Sequence, residues 1–255
     1  MLLNTIQRGE GPETVVFLHG LFGRARNLGF LQREAASQNF RTIALDLRNH
    51  GDSPHGPVTY HNLAQDVFDT LESMNISSFS LVGHSMGGKV AMLMALMSPE
   101  KISKILVGDM APIATHQGHK EMIAQLAQLR FPEQLTKQQA LALLEPITGS
   151  QAVSELMLQN IALDIPARWH IGFDDIANGI DEIETWPNVK LAPFPNDALF
   201  LRGALSPYVQ ERAHKPIYEL FPKAKIQSIE NAGHWLHAEK PKEFSEIMMS
   251  FLIQK

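Results

Sequence analysis

Short apolar runs rich in β-branched residues alternate along the chain with segments whose apolar residues recur every three or four positions. Six of these runs have the length and composition of buried strands, and most of them stop at a glycine or a polar residue. They span residues 14–20, 41–47, 79–84, 103–110, 197–203 and 224–234. The sequence therefore predicts six strands.

Helical spacing marks segments between and after these strands. Residues 60–75 have one apolar face, which predicts an amphipathic helix. Residues 86–97 are apolar nearly all round, which predicts a buried helix that ends before Pro99. Residues 241–253 predict a terminal helix with a proline in its first turn. Because strands and helices alternate, we expect parallel strands with helices on both faces of the sheet.

The alternation breaks between residues 115 and 196. This stretch is rich in helical patterns, such as LTKQQALALLEPI and GFDDIANGIDEIETWP, and it shows no convincing strand. We therefore expect a core formed by residues 1–114 and 197–255, with residues 115–196 inserted over the sheet as a helical cap.

Composition narrows the range of functions. The chain has 255 residues, a net charge of −5 at pH 7 and no cysteine, so disulfides, thiolate chemistry and cysteine-bound metals are excluded. Because no long basic block occurs, nothing favours a nucleic acid or an anionic membrane as a partner. No apolar run reaches the roughly 18 residues that cross a bilayer, and the first residues lack the apolar core of a signal peptide. We expect a cytoplasmic protein.

The stretch LVGHSMGGKVAML, residues 81–93, joins a predicted strand to a predicted buried helix through glycines on both sides of Ser85. This is the pattern of a nucleophile elbow, in which a sharp turn lifts a serine hydroxyl clear of the strand. The residues two before and two after the serine must be small, so that the strand and the helix can approach each other. Gly83 and Gly87 meet this requirement, and we predict that Ser85 is a nucleophile.

A serine hydroxyl needs a neighbouring base before it can attack a carbonyl group. The segment ENAGHWLHAEKP places His234 directly after the last predicted strand, where this kind of sheet carries its histidine. His237 competes for the role, but it lies where the last helix is expected to begin. We predict that His234 is the base.

The acid that orients such a histidine usually follows the preceding strand, as Gly-x-x-Asp. Here the position three after Gly203 is Ser206. A serine cannot stabilise an imidazolium, so the sequence predicts that Ser206→Ala retains activity. Asp109 follows the strand after the elbow helix and can reach the same imidazole from there, so it is the predicted acid, with a turn-forming role as its alternative. Asp46 is the rival acid, although we expect it to hydrogen-bond its own loop.

The stretch FLHGLFG, after the first predicted strand, supplies the other part of the site. We expect the backbone amides of Leu21 and Met86 to form an oxyanion hole. The candidate substrate-binding residues are Phe22, His84 and Trp235. The last of these is also expected to pack against the loop that carries the base.

Three basic residues near these motifs have two interpretations each. Lys89, Arg24 and Arg26 can attract an anionic group such as a phosphate of coenzyme A, or they can be a structural lysine and two solvated arginines. The predicted chemistry requires no cofactor and no metal, and no metal-binding spacing such as H-E-x-x-H occurs.

Five motifs span most of the chain outside the predicted cap: FLHGLFG, DLRNHGDSPH, VGHSMGGKVAM, GDMAP and AGHWLHAEKP. Together they resemble the α/β-hydrolase superfamily and, within it, the YbfF-type bacterial esterases and their ABHD-type relatives. The resemblance implies an α/β-hydrolase fold, with an eight-stranded, mostly parallel sheet flanked by helices and a helical cap inserted before the last two strands. It also implies an acid after the strand that follows the nucleophile, in agreement with Asp109.

The same resemblance implies hydrolysis of carboxylic esters of small to medium acyl chains, with acyl-CoA thioesters as an open alternative. Carbon–carbon bond hydrolases and cofactor-free peroxidases are the enzymatic alternatives. The non-enzymatic alternative is a binding module that keeps the fold without catalysing a reaction. The expected partner is a small-molecule ester or thioester, with no nucleic acid and no membrane, and the chain is expected to be a monomer or a dimer. Substrate choice depends on the cap and does not transfer with the resemblance.

Overall fold

A mostly parallel sheet of seven strands forms the centre of the part of the chain that the structure describes. The structure is a computed structural model, and it describes residues 1–115 and 119–254. The strands of this sheet are β1 (Thr5–Arg8), β2 (Glu13–Leu18), β3 (Phe40–Leu45), β4 (Phe79–His84), β5 (Ile102–Gly108), β8 (Asp197–Gly203) and β9 (Ala224–Ile229). Two further strands, β6 (Ile161–Ala162) and β7 (Arg168–Trp169), pair with each other in a separate small sheet. The large sheet has the order β1-β3-β2-β4-β5-β8-β9, in which β1 is antiparallel to β3 and all other neighbours are parallel.

Helices follow or precede most of these strands. They are α1 (Gly29–Ser37), α2 (Tyr60–Ser73), α3 (Met86–Met97), α4 (His119–Ala127), α5 (Lys137–Thr148), α6 (Gln151–Leu158), α7 (Phe173–Asn178), α8 (Ile180–Glu184), α9 (Glu211–Leu220), α10 (Leu236–Glu239) and α11 (Pro241–Ile253). Among the helices of residues 1–115 and 119–254, none combines the length and the apolar character that crossing a bilayer requires.

Helices cover both faces of the sheet. Successive residues of a strand point to opposite faces, so the side chains of one strand show which helices pack on each face. In β2, Val16 and Leu18 pack in a core with residues of α2 and α3, whereas Val15 and Phe17 pack with residues of α1 and α11. All four side chains are fully buried. The predicted parallel sheet between two helical layers is thereby confirmed.

All six predicted strands are present, two of them (79–84 and 197–203) with the predicted bounds and the others with ends shifted by up to five residues, and β1 is added at one edge. The described sheet thus has seven strands rather than the eight that the resemblance implied. Residues before β1 bind α2 instead of extending the sheet. The amide of Leu3 donates to Oγ1 of Thr70 at 3.0 Å, and the N-terminal ammonium forms an ion pair with Asp66.

Helix α3 is buried along almost its whole length, as its apolar sequence predicts. Every residue from Met86 to Leu96 is buried. The helix ends at Met97, because Ser98 precedes a proline and has a non-helical backbone with φ −144° and ψ 65°. The predicted terminal helix is also present as α11, with its proline in the first turn.

Between β5 and β8 the chain forms helices α4 to α8 and a small antiparallel pair, β6 with β7. We call this part of the chain the inserted segment. The sequence predicted its helices but not its two strands, because strands of two residues cannot show an alternating pattern. The division of the chain into a core domain and a cap domain stays a prediction.

Candidate active site

Ser85 lies at the turn between β4 and α3, with a backbone φ of 53°. This left-handed region is unfavourable for residues other than glycine. The flanking glycines have no room for a side chain. A Cβ on Gly83 would lie 2.3 Å from the carbonyl oxygen of Gly87, and one on Gly87 would lie 2.4 Å from the carbonyl oxygen of Leu18. Close packing of β4, α3 and β2 around the turn is the steric reason for the glycine pattern.

Ser85, His234 and Asp109 form a continuous chain of hydrogen bonds. Oγ of Ser85 lies 2.9 Å from Nε2 of His234, and Nδ1 of His234 lies 2.7 Å from Oδ2 of Asp109. The three residues follow β4, β9 and β5 respectively, so three loops at the carboxyl edge of the sheet supply one residue each. The structure thus brings together the three residues that the sequence selected for catalysis.

The carboxylate of Asp109 is fully buried and is held by the loop after β8. Its Oδ1 accepts a hydrogen bond from the amide of Gly203 at 3.1 Å. Its Oδ2 accepts hydrogen bonds from the hydroxyl of Ser206 and from His234. The backbone of Asp109 is also left-handed, with φ 48°. Ser206, at the usual position of the acid, is therefore a direct partner of the carboxylate that comes from the neighbouring strand.

Asp46, the rival acid, binds elsewhere. Its carboxylate accepts hydrogen bonds from the amides of Ala25 and Asp52, at 2.7 and 3.0 Å, and from the side chain of Asn4 at 2.8 Å. Burial raises the pKa of a carboxyl group, but here these donors outweigh burial and lower the pKa of Asp46. Asp46 thus holds loops in place as a carboxylate.

Several neighbours fix the position of His234. The ring of Tyr208 stacks on the imidazole, with centroids 4.0 Å apart and planes inclined by 19°. Nε2 of His84 donates a hydrogen bond to the carbonyl oxygen of His234 at 2.8 Å. The carboxylate of Glu239 accepts hydrogen bonds from the amides on either side of His234, at 2.7 and 3.2 Å. Sequence reasoning missed Tyr208 and Glu239, because neither lies in a motif that indicates its contact.

His237, the competing histidine, packs against His84 rather than Ser85, with ring centroids 4.3 Å apart. Burial and the nearby His234 lower the pKa of His237 to about 4. Burial also holds the pKa of His84 well below its usual value. Both rings are therefore neutral at pH 7, and His234 is the imidazole in contact with Ser85.

The backbone amides of Leu21 and Met86 lie close to Ser85. Met86 is the next residue in the chain, and a Cβ on Gly20 would lie 3.1 Å from Cβ of Ser85. Within residues 1–115 and 119–254, neither amide donates a hydrogen bond to another backbone group. The absence of a backbone acceptor within these residues is compatible with the predicted oxyanion hole, and this role of the two amides stays a prediction.

Two buried histidines hold the loop that carries Leu21. Nε2 of His19 accepts a hydrogen bond from the amide of Leu47 at 2.9 Å, and Nε2 of His50 accepts one from the amide of Phe22 at 3.1 Å. Burial, with a contribution from His19, lowers the pKa of His50 to about 3, so this ring stays a neutral acceptor. Phe22 itself has a left-handed backbone with φ 61°.

A small cavity of about 20 Å³ lies beside Ser85. The core and the inserted segment both contribute to its walls, which are Leu21, Tyr60, Ser85, Met86, Met110, Thr115, His119, Ile183, Glu184 and Tyr208. The candidate substrate-binding residues Phe22, His84 and Trp235 lie outside this lining. The side chain of Phe22 is buried in the core, and His84 points toward His237, away from the cavity.

The inserted segment contributes a polar pair to the cavity wall. Nδ1 of His119 donates to Oε1 of Glu184 at 3.1 Å, and the amide of His119 donates to the same oxygen at 3.2 Å. Burial lowers the pKa of His119, although Glu184 opposes the shift. The sequence did not indicate these residues, because no motif shows how the inserted segment packs on the core.

The three basic residues singled out by the sequence differ in accessibility. Lys89 is fully buried and bonded to protein oxygens, and burial lowers its pKa to about 7 against the effect of Glu184. Arg24 is half-buried beside Asp52, at 3.5 Å, and Arg26 is exposed. In the described part of the chain, no three metal-ligating side chains come together as a metal site.

Comparison with known proteins gives the class to which this fold and site correspond. A model of the alpha/beta hydrolase family matches residues 15–247, so the chain belongs to this family. The chain is 37% identical over 248 residues to the mouse protein "sn-1-specific diacylglycerol lipase ABHD11", a match that covers 93% of this chain and 80% of the relative. It is 34% identical over 239 residues to "Esterase YbfF" of Escherichia coli strain K12, a match that covers 93% of this chain and 92% of the relative. A solved structure called "Marine microorganism esterase" superposes with a TM-score of 0.94 at 34% identity, over 98% of this chain and 99% of that one.

The resemblance stated from the five motifs is thereby confirmed, both for the family and for the group of esterases within it.

Proposed function

We propose that this protein hydrolyses carboxylic esters of small to medium acyl chains through an acyl-enzyme. Ser85 is the nucleophile, His234 the general base and acid, and Asp109 the carboxylate that orients the imidazole. The observation that carries the proposal is the unbroken chain of hydrogen bonds from Ser85 through both ring nitrogens of His234 to Asp109. The names of the relatives, two esterases and a lipase, support an ester as the substrate.

Acylation starts when Ser85 Oγ attacks the ester carbonyl carbon and His234 Nε2 takes the hydroxyl proton. The carboxylate of Asp109 keeps the other proton on Nδ1 and stabilises the imidazolium that forms. The negative charge on the carbonyl oxygen is stabilised by the amides of Leu21 and Met86, each contributing about 2.7–4 kcal/mol in the transition state. When the intermediate collapses, the ester C–O bond breaks and the imidazolium returns its proton to the departing alcohol.

Deacylation repeats these steps with water in place of the serine hydroxyl. His234 takes a proton from the water as it attacks the acyl carbon, and then returns it to Ser85 Oγ as the acid product leaves. An acyl-CoA thioester follows the same route with a thiol as leaving group, so thioesters remain within the proposal. The two buried histidines, His19 and His50, hold the loop of Leu21 and so keep its amide in place throughout the cycle.

The proposal extends to the setting of the protein. The substrate is a small molecule rather than a nucleic acid or a membrane, the chain is a monomer or a dimer, and it acts in the cytoplasm. Carbon–carbon bond hydrolysis and cofactor-free peroxidase chemistry use the same serine and stay as alternatives. A binding module without chemistry is disfavoured by the bond between Ser85 and His234, which a binding role does not require.

The test compares the wild-type protein with Ser85→Ala, using p-nitrophenyl butyrate and butyryl-CoA as substrates. We expect the wild type to cleave the p-nitrophenyl ester, and Ser85→Ala to lose activity by on the order of 10³-fold or more. Ser78→Ala, at an exposed serine on the approach to β4, is the matched control and should retain wild-type kcat.

Mass spectrometry after treatment with a fluorophosphonate gives a second measurement, with an adduct expected on Ser85. A wild-type protein that cleaves neither substrate and takes up no fluorophosphonate would contradict the proposal and favour the binding module.

A further inference from the structure

One helical turn beyond Ser85, helix α3 carries a lysine that is completely enclosed by the protein. Lys89 is 0% exposed, and its amide donates to the carbonyl oxygen of Ser85 at 3.1 Å. Removing an ammonium group from water is costly unless its protons find acceptors. The position of these acceptors therefore shows what this lysine holds together.

The acceptors of Lys89 lie in the inserted segment. Its Nζ donates to the carbonyl oxygen of Thr185 at 2.6 Å and lies 3.4 and 3.5 Å from those of Glu184 and Ile183. Oγ1 of Thr115 lies 3.3 Å from the same nitrogen. The three carbonyls lie at the C-terminal end of α8, where the helix itself offers them no backbone donor, although the amide of Thr115 donates to the carbonyl oxygen of Glu184 at 2.7 Å. A single ammonium group thus binds the end of α8 to the helix of Ser85.

These partners also form part of the cavity wall. Thr115, Ile183 and Glu184 line the cavity beside Ser85 and Met86. The hydroxyl of Tyr60 donates to the carbonyl oxygen of Ile183 at 2.7 Å, which gives the wall a second attachment to the core. Lys89 and Tyr60 are therefore polar attachments of α8 to the core, which add to the apolar packing of Ile180 and Ile183.

We propose that Lys89 is a positioning residue, which fastens the end of α8 to the helix of Ser85 and so shapes the wall that the acyl chain of the substrate meets. The proposal rests on the ester hydrolysis proposed above. Without the ammonium group, the carbonyls at the end of α8 lose their shared donor, and the wall is held less firmly by the remaining bond from Tyr60. The hydrogen bonds among Ser85, His234 and Asp109 involve no atom of α8, so the chemistry itself remains.

The test uses Lys89→Met, which keeps most of the volume of the side chain and removes its charge and donors. Lys104→Met is the matched control. Lys104 donates to the carbonyls of Phe251 and Leu252, at 3.0 and 3.1 Å, at the end of α11 and outside the cavity wall. KM and kcat are measured with p-nitrophenyl acetate and p-nitrophenyl octanoate.

For Lys89→Met we expect KM for the octanoate to rise about tenfold, the size of effect that follows loss of a charged hydrogen-bond donor. KM for the acetate, which hardly reaches the wall, and kcat for both esters should change by less than about threefold. Lys104→Met should leave all four parameters at wild-type values. Lys89→Arg, which keeps the charge and the donors, should have a KM for the octanoate closer to that of the wild type. If Lys89→Met does not fold, Lys89→Gln replaces it in the same comparison.

Hydrogen exchange provides a readout that does not depend on activity. Amides of residues 180–186 should exchange faster in Lys89→Met and remain protected in Lys104→Met, which should instead loosen the end of α11. Unchanged exchange in residues 180–186, or an equal loss of kcat on both esters with KM unaltered, would overturn the proposal. If the wild type cleaves neither ester, the proposed function fails, and the exchange measurement alone decides the attachment of α8.

Discussion

The loops after β5 and β8 lie side by side at the edge of the sheet, and they supply the site with different groups. The two strands pair directly, with Gly108 opposite Leu201. The loop after β5 provides the carboxylate of Asp109, whereas the end of β8 and the loop after it provide two donors to it, the amide of Gly203 and the hydroxyl of Ser206. The comparison teaches that the carboxylate in contact with His234 can follow β5 when its neighbour supplies the hydrogen bonds.

A physical reason underlies this division. A buried carboxylate is unstable unless donors replace the water that it loses. In this protein the loop after β8 takes the place of that water, and the loop after β5 carries the charge. The two loops therefore act together, and substitutions at Asp109 and Ser206 can separate the contribution of the carboxylate from that of its hydrogen-bond donor.

The largest effect is expected from Asp109→Asn. An amide stabilises neither the Nδ1–H tautomer nor the imidazolium, so kcat for p-nitrophenyl butyrate should fall by on the order of 10³–10⁴-fold. The control is Asp69→Asn, a substitution on the exposed side of α2, which should have wild-type kcat. An Asp109→Asn variant within tenfold of the wild type would mean that His234 takes its orientation from another group.

A second variant moves the acid to the other loop. Oδ2 of Asp109 receives hydrogen bonds from both Ser206 and His234, so a carboxylate at position 206 comes close to the same imidazole. We expect Asp109→Asn combined with Ser206→Asp to recover about a hundredfold of the lost kcat, because the imidazolium regains a negative partner.

The matched control for that variant is Asp109→Asn combined with Ser206→Asn, which has nearly the same shape and no charge. Equal kcat values for the two double variants would show that the loop after β8 cannot carry the acid.

The smallest of these effects is expected from Ser206→Ala alone. The sequence predicted no loss of activity, but Ser206 is buried and donates to the Asp109 carboxylate. A hydrogen bond to a charged group contributes about 1.5–3 kcal/mol, so we now expect kcat to fall about tenfold and the midpoint of urea unfolding to decrease. Wild-type kcat and an unchanged midpoint would indicate that Gly203 and His234 suffice to hold the carboxylate.

The sequence predicted the sheet and the three residues of the hydrogen-bonded chain for a common reason. Strands buried on both faces are continuous apolar runs, and the residues that leave them at one edge are read directly from the order of the chain. Ser85 and Asp109 directly follow such runs, and His234 comes a few residues after β9, an edge strand whose apolar residues alternate with exposed ones. Local patterns were therefore sufficient for these features.

Other features depend on packing between distant segments. The contact between Tyr208 and His234, and the acceptors of Lys89 in α8, join parts of the chain that share no local pattern. The prediction for His84 overlooked a rule that the sequence does contain. Since side chains alternate along β4, His84 faces the same side as Val82, whereas Ser85, which follows it, lines the cavity.

The backbone of the site has a consequence for the resistance of this protein to heat. Besides four asparagines, a residue type that tolerates this region, the non-glycine residues with positive φ in the described chain are Phe22, Ser85 and Asp109. Each such conformation costs about 1–3 kcal/mol, and all three lie in loops around the nucleophile. At Ser85 and Asp109 a laboratory selection for thermal survival alone thus favours residues that relieve this conformation, and it would discard the hydroxyl and the carboxylate proposed to carry out the reaction. Phe22 would be kept, because its side chain is buried in the core.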